Sequence, residues 1–235
     1  MSTTAETIRK NYLSVKERAE HAAKLAGRDP NEITIIGVTK YVDAEMAGML
    51  CDAGCKNLGE SRPQVLDEKA ATLTDPEIVW HMIGHLQRNK VARTLRRSTF
   101  LHSVDSLRLA ESINRIAGEN QQSVEILLEV NVSGETAKHG FTAEEMPEVV
   151  DRLLPLPSVN LRGLMCMAGL TSDDDETRRQ FQKLRELCDA LQQRLPDDHQ
   201  FTELSMGMSG DFEVAIAEGA TMVRVGSILF DGVRG

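Results

Sequence analysis

Lys40 closes an apolar run, ITIIGVTK (33–40), and an amine at the end of a buried strand has two uses. It can reach for solvent on its flexible stem, or stand at the mouth of a pocket as a nucleophile. Far along the chain, SMGMSGD (205–211) offers hydroxyls, small residues and exposed backbone N–H groups just before a helical pattern, which suits an anion. RVGS (224–227) adds a glycine for close backbone approach with a hydroxyl beside it. Taken alone, SMGMS reads equally well as a capped loop, with Ser209 or Asp211 as the helix N-cap.

An amine and a phosphate cradle together suit one ligand, pyridoxal 5′-phosphate (PLP), which carries both an aldehyde and a phosphate. Its pyridine nitrogen also needs a partner, commonly Asp or Arg. Arg224 lies two residues before Gly226, so alternation along a strand puts both on one face. A fixed cation there keeps the ring nitrogen unprotonated and makes the ring a weaker electron sink.

The elements that must position these residues alternate regularly. Ile8, Tyr12, Val15, Ala19, Ala22 and Leu25 recur at helical spacing, and Gly27 and Pro30 end that first helix. Strands are then expected at 33–40, 56–60, 78–84, 99–105, 123–132, 161–168, 202–207 and 221–230. Helices are expected between them at 43–54, 62–73, 88–97, 106–120, 142–154 (with Thr142 as N-cap), 175–195 and 211–220. Strands separated by helical crossovers must run parallel with both faces covered. Eight such units at this length predict a single (β/α)8 TIM barrel with an extra N-terminal helix, one domain over residues 1–235. An open Rossmann-like sheet is disfavoured, because no G-x-G-x-x-G follows the first strand. The active face of such a barrel is the C-terminal end of its strands, and its phosphate sites often use the last two loops.

Composition narrows the partners. The net charge of −9 argues against a general nucleic-acid or anionic-membrane surface. No apolar run approaches the roughly 20 residues of a membrane span, and the charged N-terminus lacks the apolar core of a signal peptide. Four cysteines without a secretion signal read as reduced thiols of a cytoplasmic protein.

The motifs VTK (38–40), NLGESR (57–62), WHMIGHLQRNK (80–90), HSVDS (102–106), EVNVSGETAKHGF (129–141), RGLMCM (162–167) and LSMGMSGDFEVAIAEGATMVRVGSILFDG (204–232) resemble those of the pyridoxal phosphate homeostasis proteins. These are single-domain relatives of the barrel in alanine racemase and ornithine decarboxylase, and the likeness runs from about residue 6 to 234. LSMGMSGD with IGHLQRNK is the most specific part. The resemblance implies that Lys40 carries the internal aldimine and Arg224 faces the ring nitrogen, with Ser205, Met206, Gly226 and Ser227 around the phosphate. Where the family usually reads G-E-N, this chain has Gly59-Glu60-Ser61, so Ser61 makes a shorter cofactor contact or leaves room for water. Tyr41 follows the lysine where a smaller residue is more common, and is expected to face the other side of the strand.

Other features have plainer readings. His81 stands either beside the cofactor or as a satisfied core histidine. His81 and His85 form H-x3-H, and Cys51 and Cys55 form C-x3-C, but the gap between the pairs is too long for a finger; no metal site is expected. Cys166 reads as barrel packing. RNKVARTLRR carries five cations in ten residues, read first as a solvated helix face.

Gly235 follows shortly after the eighth strand, so the β-rich lid of the racemases and decarboxylases is not expected. Tyr12 sits on the outer helix, so neither tyrosine is placed as a second base. The expected function is therefore a monomeric PLP carrier in intracellular PLP homeostasis, releasing the cofactor to other enzymes through transient contact with their apo forms. The alternative is an open-site PLP-dependent amino-acid racemase or lyase.

Overall fold

The computed structural model describes residues 3–133, 139–169, 173–196 and 199–233. Positions 134–138 of the EVNVSGETAKHGF motif lie outside the described residues. Eight parallel strands close into a barrel in sequence order: β1 (Thr34–Val38), β2 (Asn57–Glu60), β3 (Val79–Met82), β4 (Phe100–Val104), β5 (Val124–Glu129), β6 (Val159–Met165), β7 (Glu203–Ser205) and β8 (Met222–Val225). Register through Ile36↔Arg224 and Gly37↔Val225 joins the last strand to the first.

Eight helices accompany the strands. α1 (Thr4–Leu25) starts on a capping box between Thr3 and Glu6 and buries Ile8, Val15, Ala19, Ala22 and Ala23. It packs against α8 (Phe212–Ala217) and α2 (Ala44–Asp52). The N-terminal helix thus fills the slot between β8 and β1, since among the described residues no α-helix follows β8. Leu25, assigned to the buried face by its spacing, is exposed because the helix ends on it. The remaining helices are α3 (Pro63–Thr72), α4 (Val91–Thr94), α5 (Leu107–Glu119), α6 (Met146–Leu153) and α7 (Asp174–Gln192).

Several boundaries differ from the sequence reading for local reasons. The basic helix expected at 88–97 is a 3-10 turn at Arg88–Lys90 followed by the short α4. Its arginines are not simply solvated, since Arg93, Arg96 and Arg97 all converge on Asp67 of α3. Hydrogen bonds from Arg97 and Arg93 hold the Asp67 carboxyl below its usual range. α6 starts at Met146, not Thr142; Pro147 is in the first turn, where its missing N–H costs nothing, and Thr142 bonds to the Glu145 side chain. β8 stops at Val225 because Gly226 leaves the extended region (φ −132, ψ −75), and a 3-10 turn follows at Ser227–Leu229.

Inside the barrel, side chains are layered by alternation. Ile36, Phe100, Leu127, Met165 and Met222 form an apolar layer. Two residues further along three of those strands stand His102, Glu129 and Arg224, all buried. That one-rung change from apolar to polar marks the C-terminal end as the chemical face. Among the described residues, no helix is long and apolar enough to cross a membrane.

Candidate functional site

A cavity of about 510 Å³ opens at this end of the barrel. Val38, Ile83 and Phe230 supply apolar wall, and Lys40, Ser61, His85, Glu129, Arg224 and Ser227 supply polar groups.

Lys40 follows β1 in a turn that is held from below. Thr39 is fully buried; its amide donates to the Gly59 carbonyl at 3.1 Å, and its hydroxyl donates to Glu60 Oε1 at 2.7 Å. Lys69, from α3, donates to the Thr39 carbonyl at 2.6 Å and to Glu60 Oε1 at 2.5 Å. A buried ion pair thus anchors the residue before Lys40. Lys40 Nζ itself has no hydrogen bond or ion pair among the described residues, and lies 4.9 Å from the centroid of the Tyr41 ring.

The floor of the cavity is a chain of hydrogen bonds through the barrel. Arg224 donates through Nη1 to the Ser205 carbonyl at 2.7 Å and to its Oγ at 2.6 Å, and through Nη2 to the Cys166 carbonyl at 2.8 Å. Ser205 Oγ lies 2.8 Å from His102 Nδ1, His102 Nε2 lies 3.0 Å from His81 Nδ1, and His81 Nε2 lies 3.0 Å from Asn57 Oδ1. One proton arrangement satisfies every link. Asn57 Oδ1 can only accept, so His81 donates through Nε2 and, when neutral, accepts at Nδ1 from His102 Nε2. Neutral His102 then accepts at Nδ1 from the Ser205 hydroxyl, whose oxygen also accepts from Arg224. Both histidines are neutral in this arrangement. Burial pushes His81 down to about 4, and burial, His81 and Arg224 push His102 well below the usual histidine range. Arg224 is thereby locked through Nη1 and Nη2, while its Nε makes no hydrogen bond among the described residues.

The loops after β7 and β8 form the other end. The backbone N–H groups of Ser209, Gly210 and Ser227 donate to nothing among the described residues, and all three residues line the cavity. Ser209 does not cap α8. Its hydroxyl accepts from the Gly226 amide at 3.1 Å, which ties the two loops together. Asp211 accepts from the Met208 amide at 2.5 Å. Gly226 abuts β1, where a Cβ would stand 3.2 Å from Val38 Cβ. The unpaired amides and the Ser227 hydroxyl are donors of the kind an anion requires.

Residues 5–233 match the family described as the alanine racemase N-terminal domain. The pyridoxal phosphate homeostasis protein of Aquifex aeolicus is 40% identical over 216 residues, covering 92% of this chain and 94% of that protein. The chain belongs to the pyridoxal phosphate homeostasis protein family. The Pseudomonas aeruginosa member is 37% identical over 230 residues, covering 98% of this chain and 96% of that protein. A solved structure of PipY from Synechococcus elongatus, with PLP bound, has a TM-score of 0.81 at 38% identity and covers 91% of this chain and 99% of that one. An unknown protein from Bifidobacterium adolescentis has a TM-score of 0.92 at 35% identity, covering 96% and 95%. Alanine racemase of Clostridium difficile shares the fold, with a TM-score of 0.75 at 18% identity.

In this family member, Lys40, Ser61, Arg224, Gly226 and Ser227 of the expected site come together on the cavity wall. His81, Ser205 and Met206 do not. His81 and Ser205 are buried links of the floor chain, with their polar atoms already bonded. Met206 is fully buried, its amide bonded to the Met222 carbonyl. Tyr41 does not face the opposite side: β1 has ended at Val38, so strand alternation no longer governs it, and it stands exposed at the cavity mouth. Met208, Ser209 and Gly210 of the SMGMSGD loop, which were not among the expected site residues, line the cavity. Glu129, His85 and His139 also reach it. Glu129 was legible as the inward residue two positions after Leu127.

Proposed function

We propose that this protein binds pyridoxal 5′-phosphate in this cavity, covalently through Lys40, and serves intracellular PLP homeostasis by holding the cofactor and releasing it to other enzymes. PLP supplies an aldehyde that condenses reversibly with a primary amine, a phosphate, and a pyridine nitrogen. The single observation that carries the reading is that one cavity holds an uncommitted partner for each. Lys40 presents a free amine. The Ser209, Gly210 and Ser227 amides, with the Ser227 hydroxyl, hold the phosphate. Arg224 would face the ring nitrogen and oppose a proton there. Ser61 contributes a hydroxyl with no partner among the described residues.

The wet mouth of the cavity supports holding over turnover. Tyr41 is 88% exposed there and Met167 45%, so water reaches the amine side, whereas PLP enzymes work in closed, dry sites. Tyr12 lies on α1 and bonds weakly to the Gly54 carbonyl at 3.4 Å; burial, with Cys55 adding to it, raises its hydroxyl to about 12, so it stays a protonated phenol. The receiving partners would be apo PLP enzymes met transiently by a monomer. Glu129 is the observation that favours the second reading, an open-site amino-acid racemase or lyase, because it is a buried carboxylate on the cavity wall.

The test is the visible spectrum of purified protein before and after borohydride, with mass mapping of the modified peptide. A pyridoxyl adduct on Lys40, absent from Lys40→Ala, is expected. An adduct elsewhere overturns the assignment. Sustained turnover of an L-amino-acid panel under chiral chromatography overturns the carrier reading.

A further inference from the structure

Three residues from three different loops meet beside the cavity, and two of them, His85 and His139, line it. His85 follows β3, Asp105 follows β4, and His139 precedes the segment that returns to β5. That return is firmly built: the Phe141 amide donates to the Glu129 carbonyl at 2.8 Å, and the Asn131 amide donates to the Phe141 carbonyl at 2.9 Å. Gly140 has φ +109, and a Cβ there would stand 2.8 Å from the Glu129 carbonyl oxygen, so glycine permits the approach.

The two imidazoles stack with centroids 4.5 Å apart and planes at 22°. Both Nδ1 atoms face one carboxylate oxygen, Asp105 Oδ2, at 3.0 Å from His85 and 3.9 Å from His139. One ligand atom from each of the three residues lies within 4.8 Å of the other two. Ligands at about 2.0–2.2 Å around a tetrahedral ion stand roughly 3.3 Å apart, so small side-chain rotations close the geometry. His85 and His139 are about half to two-thirds exposed and free to make them, while Asp105 is held at 11%.

We propose that His85, Asp105 and His139 form a site for a divalent first-row transition ion such as zinc, with its open coordination positions toward the cavity. Two imidazole nitrogens select such an ion over magnesium or calcium, which take oxygen ligands. The surroundings suit a dication. Glu129, a second buried carboxyl, lines the same cavity as His85 and His139. The sequence offered no metal motif because the ligands are joined only by barrel closure, not by spacing along one segment.

Full-length protein, stripped with chelator, is titrated calorimetrically with zinc chloride, and separately with cobalt chloride while its visible absorption is followed. Saturable binding to a single class of site is expected. His139→Gln and Asp105→Asn should each weaken it at least about tenfold, the lower end of what even outer partners of a metal site cost when lost. His21→Gln on α1 should leave it unchanged, with circular dichroism confirming that the variants fold. His139→Gln alters an exposed side chain, so a folding failure at Asp105 leaves the test intact. No saturable uptake, uptake indifferent to His139→Gln, or uptake lost instead in Cys51→Ser would overturn the proposal. Neither titration involves Lys40, so its outcome is separate from that of the borohydride experiment.

Discussion

Ser205 Oγ stands 2.8 Å from His102 Nδ1, although 103 residues separate them in the chain. The same oxygen accepts from Arg224 at 2.6 Å, so one hydroxyl fixes both the histidine tautomer and the arginine edge. Ser205, expected beside the phosphate, thus joins the buried histidine chain to Arg224.

Ser205→Ala should destabilise the fold by about 1–3 kcal/mol, because it leaves His102 Nδ1 buried without a donor. Arg224 keeps the Ser205 carbonyl, so PLP should still bind, with a shifted absorption band. Urea unfolding and the visible spectrum measure the two effects. An unchanged unfolding midpoint would sink the directional chain.

Stability should fall in acid through His81. Its folded pKa of about 4 lies below the ordinary 6.5, so the unfolded chain binds the extra proton between those values. The contribution is complete above 6.5 and is lost as pH drops toward about 4, on the order of 3 kcal/mol across the window. His81→Gln should flatten the dependence of the urea midpoint between pH 7 and about pH 4. A variant as acid-sensitive as the parent would place the titration elsewhere.

Lys69→Met should cost about 3–5 kcal/mol by stranding the buried Glu60 carboxylate. It also removes the donor to the Thr39 carbonyl, so PLP should dissociate faster as the Lys40 turn loosens. Glu60→Leu combined with Lys69→Met should recover a large part of the stability, because the unpaired charge is gone. A double-mutant cycle by chemical denaturation checks this; simple additivity would mean that the pair is uncoupled.

Gly84→Ala should be costly and Gly210→Ala nearly neutral for stability. A Cβ at Gly84 would lie 2.4 Å from the Ser61 carbonyl oxygen and 2.7 Å from its Cα, whereas one at Gly210 meets nothing within 4 Å. Overpacking of this kind costs about 1–3 kcal/mol and would displace two cavity residues, Ser61 and His85. Thermal midpoints of the two variants separate the cases; equal midpoints would mean that the Ser61 backbone yields freely.

Much of this was legible in the chain. All eight strands lie within their expected segments except β6, which begins two residues early at Val159. The errors gathered where local rules end. Gly226 broke a strand that its apolar neighbours appeared to continue, and Tyr41 escaped alternation because β1 had already stopped. The basic run forms only a 3-10 turn and the short α4, and its arginines gather on Asp67 of a neighbouring helix.

By itself the sequence determined the parallel barrel, because alternating apolar runs and amphipathic segments leave only helical crossovers, and it placed Lys40 and the β7 and β8 loops at the reactive end. Only the tertiary structure decided which polar atoms remain free. Closure of the barrel pairs Ser205 with His102 and His81 with Asn57, and it gathers Lys40, Arg224 and the loop residues Ser209, Gly210 and Ser227 on one cavity wall. A polar group's partners are set by distance in space, and here those distances exist only once β8 meets β1.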